Sequence, residues 1–232
     1  MLSRAQDASE LIGQAIAAVG GHDALYRLRD VQYTYHRGDH VSLERYIFDG
    51  EISYGRDRTE DGPVREQYYN GRSITVLIDG QIIRDTTEIK TAFFNRKTNF
   101  YWLTMVQKLD DPGVIATHAG ERTVEGIPYQ LVEVTFEDGV GVAKDRYLLY
   151  INPVTHLIDQ FLFTVAAIKK MTPTLMKYTY GVFEEGVRFP VISQSHPALD
   201  WEGTLDPEGS WSMRYRDGFR FDNDFTAETI RQ

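Results

Sequence analysis

A mainly antiparallel β fold, with a helix at the N-terminus and one helical insertion, is what this sequence predicts. Three features carry the expectation. Between residues 126 and 193, β-preferring segments follow one another across short turns. Such succession makes an antiparallel meander, because a parallel neighbour needs a long crossover. From Val31 onward, apolar residues recur at every second position. Between residues 87 and 109 that alternation stops and the apolar residues cluster.

Residues 5–19 read as an amphipathic helix, with Leu11, Ile12, Ala15, Ile16 and Val19 at helical spacing and Gly20-Gly21 ending it. Asp23 is placed to cap a short second helix carrying Leu25 and Leu28. Strands begin at Val31-Gln32-Tyr33-Thr34-Tyr35, at Leu43 through Tyr46 and Phe48, and at Ile52-Ser53-Tyr54. Gly38-Asp39, Asp49-Gly50 and Asp61-Gly62-Pro63 supply the turns. Further strands fall at 65–69, 73–78 and 81–85, the last two joined by Asp79-Gly80. The insertion at 87–109 reads as two helical pieces meeting near residues 96–98, and Asp110-Asp111-Pro112-Gly113 ends it. Flanked by strands on both sides, it is the candidate lid over a sheet.

Strands resume at Val114. Gly139-Val140-Gly141 lies in a hairpin turn, Asn152-Pro153-Val154-Thr155-His156 punctuates the next hairpin, and Glu184-Glu185-Gly186 a later one. The meander is interrupted near 166–173. Past Pro197, Trp201, Trp211-Ser212-Met213 and Phe219-Arg220-Phe221 read as short strands separated by Asp206-Pro207 and Asp217-Gly218. Neither repeat nor linker appears, so residues 1–232 are expected to form a single domain.

Composition excludes several classes. A formal net charge of −9 argues against nucleic acid and against an electrostatic grip on anionic membranes. The absence of cysteine removes thiol catalysis, disulfides and thiolate metal sites. No apolar run reaches the roughly eighteen residues a transmembrane helix needs. The start, Met1-Leu2-Ser3-Arg4-Ala5, lacks the apolar core of a signal peptide. The expected compartment is therefore the periplasm or cell envelope if an export signal was removed before Met1, and the cytoplasm otherwise.

Catalytic motifs are weak. His36-Arg37-Gly38-Asp39-His40 is the densest group of metal-capable side chains, yet zinc needs three or four convergent ligands and no third His or Cys is near. The simplest reading is a polar turn. His118, His156 and His196 stand beside turns and are expected to be exposed. Ser195 and His196 are adjacent, so on an extended chain they point to opposite sides and cannot pair as nucleophile and base. Neither Gly-x-Ser-x-Gly nor His-Glu-x-x-His is present, and the acidic pairs Asp110-Asp111 and Glu184-Glu185 fall in turns. The chain is not expected to be an enzyme or to carry a cofactor or metal.

The apolar faces carry more. Val132, Val134 and Phe136 alternate with Glu133 and Thr135; Phe161, Phe163 and Val165 alternate with Gln160, Leu162 and Thr164. Met176, Tyr178, Tyr180 and Val182 alternate with Lys177 and Thr179. Period-two geometry sends each set to one side of the sheet. The bland reading is an ordinary core. The functional reading adds the insertion, whose Phe93, Phe94, Phe100, Tyr101, Trp102, Met105 and Val106 would face the same space. Methionine and aromatics suit a cavity that adapts to varied chains, and burying an acyl chain is worth about 0.8 kcal/mol per methylene.

Three short patterns point to a family. Val124-Glu125-Gly126 precedes a strand, Tyr150-Ile151-Asn152-Pro153-Val154-Thr155 makes a strand-to-turn step, and Glu185-Gly186-Val187-Arg188-Phe189-Pro190 re-enters the sheet. With the lead-in from Ala17 to Leu25, these resemble the bacterial LolA-type lipoprotein carriers and related envelope lipid-binding proteins. The resemblance implies an α+β, mainly β fold: a curved, incomplete antiparallel β-barrel with an N-terminal helix and a helical lid over its concave face. It also implies a hydrophobic cavity for acyl chains and a latch arginine between barrel and helix, for which the sequence alone gives no position. The expected function is non-enzymatic binding or carrying of a lipid or acylated lipoprotein. A structural or protein-interaction module of the envelope with a filled core is the alternative. A metal enzyme using His36, Asp39 and His40 stands third.

Overall fold

The computed structural model describes residues 7–58, 62–137, 145–166 and 169–232. The first residues of the predicted N-terminal helix, Asp61 of one predicted turn, the Gly139-Val140-Gly141 turn and part of the 166–173 interruption lie outside them. The order is α1 (Ala8–Ala18), α2 (Ala24–Leu28), β1 (Asp30–Arg37), β2 (His40–Ile47), β3 (Ile52–Arg58), β4 (Arg65–Tyr69), β5 (Ile74–Ile78), β6 (Gln81–Ile82) and α3 (Thr86–Thr104). Then follow β7 (Val114–Val124), β8 (Ile127–Phe136), β9 (Tyr147–Ile151), β10 (Ile158–Val165), β11 (Lys170–Val182), β12 (Arg188–Pro197) and β13 (Ser212–Phe221). Two compact units emerge: residues up to His22 with Val106–Met213, and Asp23–Met105 with Arg214–Gln232.

The first unit holds α1 and six strands ordered β12-β11-β10-β9-β8-β7, all antiparallel neighbours. Its turns follow their sequences. Glu125 and Gly126 take positive φ between β7 and β8, as a two-residue hairpin needs. Asn152 Oδ1 accepts from the backbone of Val154 and Thr155 and holds the β9–β10 turn. α1 is capped by Asp7, buries Leu11, Ile12, Ala15 and Ile16, and packs on β7 and β8. Gly20 and Gly21 take positive φ, letting the Gly21 amide satisfy the Ile16 carbonyl at 2.9 Å. β12 is tied to this end: Arg188 Nη1 donates to Ala18 O at 2.6 Å and the Arg188 amide to Val19 O at 3.0 Å.

The expectation of one strongly apolar face per strand is incomplete. β9 is buried at every position. Tyr129, Leu131, Leu148, Tyr150, Leu162, Leu175 and Ala198 form a second core on the face opposite Val132, Leu149 and Phe161. The stretch past Pro197 covers it. Trp201 packs there from a turn rather than a strand, because the backbone folds back through Leu199 N to Thr204 O at 2.8 Å.

The second unit holds α2, α3 and the strands β6-β5-β4-β3-β2-β1-β13. Four details differ from the sequence expectation. Asp23 makes no side-chain cap to α2. β6 stops at Ile82, because Asp85 leaves the strand path to cap α3, accepting from Thr87 N and Glu88 N at 2.9 Å each. α3 is one continuous helix, not two pieces: no Gly or Pro interrupts it, and the residue at the expected break, Arg96, is its most firmly anchored side chain. Asp217-Gly218 does not separate two strands, because Gly218 at φ +64 forms a bulge inside β13. α3 packs on β3, β4 and β5.

Candidate functional site

The predicted ligand residues divide between the units and are described in turn. In the first unit the register aligns them. Phe161 stands opposite Leu149 and Met176; Val134 and Phe163 both stand opposite Tyr147, and Tyr178 opposite Ser193. One face therefore carries Val132, Val134, Phe136, Tyr147, Leu149, Phe161, Phe163, Met176, Tyr178 and Tyr180. The rings touch in sequence: Phe136–Tyr147 at 5.9 Å, Tyr147–Phe163 at 6.1 Å, Phe161–Phe163 at 5.7 Å, Phe161–Tyr178 at 5.1 Å and Tyr178–Tyr180 at 5.9 Å between centroids. Val132, Val134, Phe161, Phe163, Met176 and Tyr178 are buried, while Phe136 and Tyr180 are half-buried. Val106 is buried in the turn beside α1. Burial drives the Tyr180 phenol well above its usual range, and its hydroxyl donates to Ile158 O at 3.0 Å.

In the second unit the helical residues do not share one direction. Phe100 is buried edge-on against Tyr46 at 5.5 Å, and Phe93 stands edge-on to Tyr69 at 5.6 Å. Phe94 and Tyr101, seven residues apart, lie on a stripe roughly opposite Arg96 on a helix of about 3.6 residues per turn and are half-buried. Trp102 is half-buried beside Tyr101 and Met105 is buried. The expectation that all of them face one space is corrected within this unit: Phe93 and Phe100 serve its own sheet.

The centre of that contact is polar, and sequence reasoning missed it. Arg96 reaches from α3 to Glu44 on β2, with Nη1 at 2.6 Å and Nη2 at 2.9 Å from the two carboxylate oxygens. Glu44 also accepts from Tyr46 at 2.5 Å and Ser42 at 2.9 Å, and Arg96 Nε donates to Gln67 at 3.2 Å. Arg96 and Glu44 are 4% and 1% exposed, so this is a dry ion pair with saturated partners. Burial alone pushes the Glu44 carboxyl up. The Arg96 charge and hydrogen bonds, with Tyr46 and Ser42, outweigh it and hold Glu44 below the usual carboxylate range. Room for the guanidinium comes from Gly55 on β3, where any Cβ would overlap it. The legible signal was there: an arginine amid helical apolar residues, a glutamate in an aromatic strand and a lone strand glycine.

The histidines do not converge. His36 Nε2 lies 3.3 Å from Asp217 and the ring stacks on Tyr215 at 4.0 Å, whereas His40 Nε2 lies 3.3 Å from Asp57. Among the described residues no group of three metal-capable side chains forms. The three histidines expected to be exposed are not: His118, inside β7, and His156 are half-buried, and His196 is 6% exposed with its ring 5.0 Å from that of Trp211. Ser195 and His196 pair with Met176 and Leu175 respectively, hence on opposite faces as expected. Among the described residues no helix is long and apolar enough to cross a membrane.

Residues 66–172 match the model of a family of unknown function (DUF6503). No curated protein matches the chain. Among solved structures, a LolA superfamily protein from Nitrosomonas europaea superposes with a TM-score of 0.56 at 12% identity, covering 98% of this chain and 99% of that one. The chain has a LolA-like fold. A DUF1329 family protein from Desulfovibrio piger gives the same TM-score of 0.56 at 14% identity, with 97% of each chain covered. A domain from Vibrio parahaemolyticus named for outer membrane lipoprotein sorting gives 0.53 at 7% identity, covering 95% of this chain and 94% of the other. The LolA-type fold explains the predominance of open antiparallel sheet and the few helices.

Proposed function

We propose that this protein binds a lipid or the acyl part of a lipoprotein without covalent chemistry. The observation that carries the reading is the aromatic and methionine face from Phe136 through Phe161 to Tyr180, aligned by register on neighbouring strands. Supporting it are the LolA-type fold and a structural relative named for lipoprotein sorting. Entry of a ligand requires movement, because Phe161 is fully buried. The acyl chain displaces protein from this face, and each methylene it buries returns about 0.8 kcal/mol. The compartment that fits such a carrier is the periplasm or cell envelope.

Native mass spectrometry on protein purified from a lipid-containing host, followed by lipid extraction, tests the reading. A co-purifying acyl species is expected, with at least tenfold weaker retention in Phe161→Ser that remains folded by circular dichroism. A bare mass and no uptake of a fluorescent fatty acid would sink it. That outcome would favour a filled-core interaction module, which the near-complete burial of Val132, Leu149 and Phe161 favours on its own. One domain spanning residues 1–232 is part of the proposal, and a single calorimetric transition with matching van't Hoff enthalpy is its expected signature.

A further inference from the structure

One buried hydroxyl of the second unit is left over by the packing of α3. Ser53 lies on β3 two residues before Gly55, and side chains two residues apart share a face. A Cβ at Gly55 would overlap the Arg96 guanidinium, so Ser53 also faces α3. It is 1% exposed, and its Oγ has no hydrogen-bond partner among the described residues. Its neighbours across the ladder are Tyr46 on one side and Tyr69 on the other. From α3, Phe100 stands edge-on to Tyr46 at 5.5 Å and Phe93 edge-on to Tyr69 at 5.6 Å. Lys97 shares the helical stripe of these two rings, and its ammonium lies 5.5 Å from the centre of the Tyr69 ring.

The polar groups around Ser53 are paired with one another. Tyr46, Ser42 and Arg96 all donate to Glu44, and the Tyr69 hydroxyl donates to Gly71 O at 2.8 Å. Lys97 Nζ lies 2.5 Å from Glu51, and Arg65 pairs with Glu88. These charges match one to one, so the surroundings of Ser53 are neutral. An unpaired hydroxyl between aromatic rings is a cost to the fold that an alanine would not carry. Local costs of this kind persist where a ligand completes the arrangement. The Lys97–Glu51 pair marks the open side of the contact, since each side chain is 31% exposed and a pair so exposed contributes little and yields readily.

We infer that Ser53 is the polar anchor of a binding site beneath α3 that takes a neutral single-chain amphiphile carrying a hydroxyl or an ester carbonyl. The Ser53 hydroxyl can donate to either group and accept from the first. Tyr46, Tyr69, Phe93 and Phe100 supply apolar walls for the adjoining carbons. A carboxylate or phosphate does not suit the site, because a buried anion needs its own counter-ion and Arg96 and Lys97 already have theirs. The site belongs to the second unit and does not rest on the lipid reading of the Phe161 face.

The test is isothermal titration of the full chain and of S53A with 1-octanol and, as its charged counterpart, octanoate at neutral pH. Wild type is expected to bind octanol, and octanoate roughly tenfold or more weakly. S53A is expected to bind octanol about tenfold more weakly, because the ligand hydroxyl is then buried without a partner. Without ligand, the thermal midpoint of S53A is expected to rise by roughly 2–4 °C, since the unpaired hydroxyl is gone. Uptake of a fluorescent fatty acid, which reads the Phe161 face, is expected to be unchanged in S53A. Octanol binding that depends on Ser53 without any fatty acid uptake would keep this site and count against the lipid reading. Equal octanol binding by wild type and S53A, or none by wild type, would overturn the site, and fatty acid uptake in those cases would leave the lipid reading standing. A lowered midpoint in S53A would show that the hydroxyl serves the fold and would overturn the site as well. Octanoate binding as tight as that of octanol would overturn the neutral ligand class.

Discussion

The two units solve the same problem, covering an antiparallel sheet, with opposite chemistry. The first stacks rings and aliphatic chains on both faces of β9 and β10, with Phe161, Leu162 and Ile158 fully buried. The second sets a buried ion pair, Arg96 to Glu44, into the gap left by Gly55 at the centre of its helix contact, with Arg65–Glu88 and Lys97–Glu51 pairing nearer the surface. Apolar packing is non-directional and forgives changes of shape. A saturated carboxylate beneath a bidentate arginine has one geometry and forgives nothing. The first arrangement suits a surface that must exchange protein for ligand; the second suits a helix held at a fixed register.

The largest expected effect breaks the ion pair. Arg96→Ala leaves the Glu44 charge buried without its counter-ion, which costs about 3–5 kcal/mol, measured by urea denaturation at neutral pH. Arg96→Leu with Glu44→Leu should cost less than either single change, and strictly additive values would show that the two residues do not act as a pair. Conservative changes sharpen the contrast. Phe161→Leu is expected to stay below about 1.5 kcal/mol, whereas Arg96→Lys loses the bidentate fork and should cost more than that.

Next comes Gly55→Ala, which drives a methyl into the guanidinium and should cost about 1–3 kcal/mol. In an Arg96→Ala background the same change should become nearly neutral, so a persistent cost there would place the clash elsewhere. The pH dependence follows from Glu44. Its carboxyl is held below the unfolded value, so its stabilisation is present above that unfolded value, near 4.5, and is lost as pH falls through the lower folded one. Glu44→Gln should therefore flatten the acid limb of a stability profile, and an unchanged limb would assign that limb to other carboxylates. The smallest effect concerns the outer face of the first unit. Arg146 lies over Trp201 at 4.1 Å and pairs with Glu133 at 2.7 Å, yet its side chain is 41% exposed. Arg146→Ala should cost about 1 kcal/mol or less.

Much was legible in the sequence because strands and turns are local devices. Alternation placed β1, β2, β4 and β8 to β11, and it set Val132, Phe161 and Met176 on one face, since a strand's period of two leaves no other choice. Gly126, Gly80 and Asn152 marked turns through backbone freedom and Asx bonding that need no distant partner. Less legible were features whose partners lie far along the chain. Arg96 and Glu44 are separated by 52 residues, so the apolar neighbours of each mark an unusual charge but do not show that the two pair. Likewise, nothing local told that Leu131, Leu148 and Leu162 face a second core, because the covering Trp201 comes from a distant turn. The sequence by itself determined the strand grammar, the position of α1 and the existence of a helical insertion. Only the tertiary structure decided that the insertion is one helix with a buried ion pair beneath it, and that His196 is buried. Burial removes water and makes every charge answer to its neighbours, and those neighbours are set by strand pairing across the whole chain.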